Sequence, residues 1–190
     1  RQVMTQYMEL LKQLPPLTTD KIAAPEIGYT FSGKAELLGA LLHTGNESNL
    51  QKLLRGREWG VITPEGELDT TRWDAFTKRA QAEGILTKAD YDFVQSIWGF
   101  LNGLKPAAQA AHRGMYGYYF NEVTARPFAT AFGEYAGGYY PAIADPFIVT
   151  DAALRAEKEA LEAHPSSFMF PTTGRGFTRQ RVEQYARPLI

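Results

Sequence analysis

The sequence predicts a mainly α fold: an irregular helical bundle with a small β-hairpin or an ordered Gly/Tyr-rich loop near residues 126–144. Apolar residues recur at helical spacing in separate segments, and Gly or Pro closes most of them. One stretch, Phe132-Gly-Glu-Tyr-Ala-Gly-Gly-Tyr-Tyr-Pro141, breaks that period and reads as a shaped backbone feature rather than a catalytic motif. The chain also has enough apolar mass for a core. Hydrophobic residues make up 44% of it, and 11 Phe, 10 Tyr and 3 Trp supply large rings, which excludes wholesale disorder.

In chain order, Val3, Tyr7, Leu10, Leu11 and Leu14 place a helix over residues 2–14, stopped by Pro15-Pro16. Residues 15–31, with Pro25 and Gly28, read as linker-like. Leu37, Leu38, Leu41 and Leu42 predict a helix from Lys34 to His43 with Gly45 after it, and a short helix follows from Ser48 to Leu54. Thr63-Pro-Glu-Gly66 reads as a turn between short extended pieces. Thr70 or Thr71 then caps a helix running to Glu83 and carrying Trp73, Phe76 and Ala80.

Thr87 followed by Asp90 resembles a capping box with Asp in place of Glu. The helix it opens carries Tyr91, Val94, Trp98 and Leu101 beside Phe93, Ile97, Phe100 and Leu104, so it is expected at the centre of the core. Pro106 suits the first turn of a separate helix over 106–123. Small residues on both segments (Ser96, Gly99 and Gly103; Ala107, Ala111 and Gly114) are compatible with close helix–helix contact, or with the ordinary helix preference of Ala. Segments 126–132 and 138–144 flank a glycine-containing turn, as two strands or as an ordered loop. A charged helix from Thr150 or Asp151 to Ala163, a loop over 165–177 and a short last helix opened by Thr178 complete the reading.

Twenty basic residues against 21 acidic ones leave a net charge of −1, so no chain-wide attraction to nucleic acid or anionic lipid is expected. With no cysteine there can be no disulfide, thiolate metal site or Cys nucleophile. No apolar run reaches membrane-spanning length, and no signal peptide is visible. Arg1 enters a helical pattern at once and Ile190 follows no tail-like segment. Residues 1–190 are therefore expected to form one helical domain within a longer multidomain polypeptide.

His43, His112 and His164 lie far apart and form no HxxxH pair, so no metal and no cofactor are indicated; surface or cap positions are expected for them. Glu134, flanked by Gly133 and several tyrosines, is the one carboxylate in a setting where apolar shielding would keep a proton for lytic-transglycosylase-like chemistry on cell wall. The Ser-Gly pair and the Gly-Leu-Met-Gln stretch expected of such enzymes are missing after it. Arg175, Arg179 and Arg181 sit where a glycine turn opens a helix and would suit phosphate or nucleic-acid backbone, or merely pair with carboxylates such as Glu183. Tyr116, Tyr118, Tyr119, Tyr139 and Tyr140 suit a stacking surface or half-buried core positions, the second being favoured.

Three segments taken in order carry a resemblance. They are Leu86-Thr-Lys-Ala-Asp-Tyr-Asp-Phe-Val-Gln-Ser-Ile-Trp98 with Leu104-Lys-Pro-Ala, then Gly137-Gly-Tyr-Tyr-Pro141, then Phe177-Thr-Arg-Gln-Arg181 with Arg187-Pro-Leu189. Over residues 86–190 the chain resembles a helical connecting region of the large polyvalent proteins of phages and prophages. The resemblance implies a non-catalytic structural or interaction domain, carried in the virion and delivered with the DNA into the host cytoplasm. Its implied partners are other domains of the same polypeptide and virion proteins. It transfers no active site, and Gly137, Gly138, Tyr139, Tyr140 and Pro141 enter it as an architectural motif.

Overall fold

The computed structural model describes residues 2–142 and residue 190. Helix α1 (Gln2–Leu11) leads into a hairpin of β1 (Ile22–Ala24) and β2 (Tyr29–Phe31), and helices α2 (Lys34–Leu42), α3 (Glu47–Gly56), α4 (Thr71–Ala82) and α5 (Lys88–Tyr116) follow. A second hairpin, β3 (Phe128–Thr130) with β4 (Gly133–Tyr135), closes the described order. The fold is mainly helical, as the apolar spacing predicts, and it holds two small antiparallel hairpins where the sequence predicts only the one near 126–144.

Two expectations need correction. Residues 15–31 are not a linker throughout: Ile22, Ala23 and Ala24 pair with Phe31, Thr30 and Tyr29. A 3-10 turn opened by Pro25 joins the two strands, and Gly28 closes it in the left-handed region at φ 64°. Strands of three residues are too short to show alternation, yet Ala24, Ile27 and Phe31 are all buried. The second correction concerns Pro106, which lies inside the continuous helix α5 and does not open another one. Both Pro106 and Asn102, whose carbonyl loses its partner, are exposed, so water can satisfy that carbonyl and the helix runs on. Close contact between two small-residue helices, one of the two readings open for these residues, is therefore not made, and a Cβ placed at Gly99, Gly103 or Gly114 would meet nothing within 4 Å.

The core has two joined parts. Trp59 and Trp73 stack with ring centroids 5.6 Å apart, and Phe31 and Phe76 extend the cluster between the first hairpin and α4. Leu37, Leu41, Leu50, Leu53, Val94 and Trp98 fill the space among α2, α3 and α5. A buried ion pair fixes α2 to the start of α5: Lys34 Nζ lies 2.6 Å from Asp90 Oδ2 and also donates to the Ile85 carbonyl. The same Asp90 oxygen accepts from Thr87 N at 2.7 Å and Thr87 Oγ1 at 2.9 Å, so the Asp arm of the predicted capping box is present. Thr63-Pro-Glu-Gly66 is a turn, with Gly66 N donating to the Thr63 carbonyl at 2.9 Å between the bridged Ile62 and Leu68.

Candidate functional site

The Gly/Tyr segment docks where the α2–α3 connection meets α5. Its hairpin is shorter than the two flanking segments suggested, because Ala131 and Phe132 make the turn and Gly137-Gly138 lie beyond β4. Gly45, just after α2, holds the segment through its carbonyl, which accepts from Arg126 N at 2.8 Å and from Gly138 N at 2.7 Å. Asn46 caps α3 by accepting from Asn49 N at 2.9 Å, and its amide donates to the Gly138 carbonyl at 3.1 Å. Asn49 donates to the Tyr140 carbonyl at 2.8 Å. From α5, the Gln95 amide makes two 3.1 Å bonds to Gly137, accepting from its N–H and donating to its carbonyl.

Glycine is required here for two different reasons. Gly137 has φ 74°, and a Cβ there would also press on the Arg126 and Gly45 carbonyls. Gly138 lies outside the positive-φ region, but a Cβ on it would overlap Trp98 Cβ and Cγ. Of the two, only Gly137 turns the chain at positive φ. Gly45 completes the set, since a Cβ there would meet the Trp98 ring at 2.5 Å. Trp98 is itself fixed by its Nε1 bond to the Leu42 carbonyl at 3.0 Å and by an edge-on contact with Phe128.

The hairpin is tied down by charge as well. Tyr135 donates to Asp92 Oδ1 at 2.8 Å, and Lys88 reaches Asp92 Oδ2 at 2.6 Å. The Lys88 and Tyr135 hydrogen bonds hold the Asp92 carboxyl below its ordinary range. Burial, and then the Asp92 carboxylate, push the Tyr135 phenol up to about 12. Gln81 of α4 donates to the Tyr91 hydroxyl at 3.0 Å and accepts from Ala131 N at 2.7 Å, fixing the turn.

No family model, characterised protein or solved structure matches the chain.

The residues singled out from sequence fall into distinct places. Glu134 is exposed on β4, opposite Ala129, so it lacks the apolar surroundings that the catalytic reading requires. Tyr140 is half-buried, its ring edge-on to His43 at 5.3 Å, and burial raises its phenol pKa. Tyr139 and Pro141 are half-buried beside it, whereas Tyr118 and Tyr119 are more than half exposed and do not join the core. His43 does cap α2, but both it and His112 are buried rather than at the surface. Among the described residues, no three His, Asp or Glu side chains gather as metal ligands. Arg175, Arg179, Arg181 and His164 lie outside the described residues, and no described helix is long and apolar enough to cross a membrane.

Sequence reasoning missed Asn46, Asn49, Gln95 and Arg126, the side chains and backbone that grip the segment. One signal was available. Asn46 between a helix-ending Gly45 and a new apolar period is a strong N-cap pattern.

Proposed function

We propose that this chain is a non-catalytic structural and interaction domain of a large phage- or prophage-encoded multidomain protein, carried in the virion and delivered with the DNA. The observation that carries the non-catalytic part is the use made of the Gly/Tyr segment. Gly138 admits Trp98, Gly137 turns the chain at positive φ, and the carbonyls of Gly137, Gly138 and Tyr140 are taken by Gln95, Asn46 and Asn49. A segment consumed in this way closes a fold. The phage assignment is supported by the order of three sequence motifs, and the first two of them, around Trp98 and Gly138, meet in space. Partners in this reading are other domains of the same polypeptide and virion proteins.

The cell-wall hydrolase alternative needs a shielded Glu134, and the exposed position of that residue speaks against it. Purified protein incubated with insoluble peptidoglycan should release no more soluble muropeptide than buffer. Release that disappears in Glu134→Gln would overturn the non-catalytic reading. Peptide mass spectrometry of purified particles tests the rest: peptides of this chain are expected inside the virion. Their absence from particles made by cells that express the protein would contradict virion carriage.

A further inference from the structure

We draw no further inference here: the strongest candidate, the exposed apolar face of helix α1 around Met4, Met8 and Leu11, carries none because nothing in the structure shows what covers it.

Discussion

Replacing Gly138 by Ala adds one methyl group at the place where the Gly/Tyr segment crosses Trp98. That methyl would overlap Trp98 Cβ and Cγ, which lie next to the α5 backbone and cannot swing aside as the tip of a flexible side chain can. Either α5 and the segment move apart, or the segment lifts. Overpacking of this kind costs about 1–3 kcal/mol. Lifting the segment also weakens the Gly138 N–H bond to Gly45 and the Asn46 bond to the Gly138 carbonyl, each contributing about 1 kcal/mol net. A loss of about 2–4 kcal/mol is therefore expected, or roughly 4–16 °C in Tm for a chain of this size. Glu134→Gln, four residues away but exposed, should stay within about 0.5 kcal/mol of wild type. Urea denaturation followed by Trp fluorescence and circular dichroism measures both. Gly138→Ala matching Glu134→Gln in midpoint would refute the reasoning, because the overlap would then have no energetic consequence.

Pro106→Ala should stabilise the protein by about 1–2 kcal/mol, since it restores a helix bond to Asn102 within α5; a lower Tm would mean that the helix breaks there. Asn46→Ala removes both an N-cap and a tie to Gly138, and a loss of about 2 kcal/mol in chemical denaturation is expected. Stability should also fall at both ends of the pH scale. Glu26, bound by Arg79, and Asp92, bound by Lys88, titrate below their ordinary values of 4.5 and 3.8, so their contribution is full above those values and lost as pH falls through the lower folded ones. Tyr135 moves the other way: its contribution is full below its ordinary value of 10 and is lost as pH rises towards about 12. Denaturation midpoints across pH should fall on both limbs, with the acid limb shallower in Asp92→Asn and the alkaline limb shallower in Tyr135→Phe.

The helices were legible because each carries its own signal in a short window. Thr87 and Asp90 announced the start of α5, and the leucines of α2 and the Trp73/Phe76 pair of α4 announced buried faces. Pro106 misled because the rule that places Pro in a first turn counts a lost amide bond, whereas exposure of Asn102 lets water replace it. The first hairpin was hidden because its pairing depends on burial of Phe31 against Trp59 and Phe76, contacts made with residues 28 and 45 positions away. The clasp around Gly138 was only half legible. Two adjacent glycines signal a special backbone, but nothing local says that Gly138 is small for Trp98 while Gly137 is needed for its φ. Glu134 looked shielded beside tyrosines, yet in β4 only Tyr135 is buried and Glu134 beside it stays exposed.

On the geometry above, the Gly/Tyr segment closes the fold. Native-state amide hydrogen exchange tests it most directly, read at the Arg126 and Gly138 N–H groups that share the Gly45 carbonyl. Both should exchange only through global unfolding, with the same opening free energy as the Leu50 amide of the core helix α3. Exchange at Gly138 within about tenfold of an unstructured chain, while Leu50 stays protected, would contradict the account and free the segment for some other role.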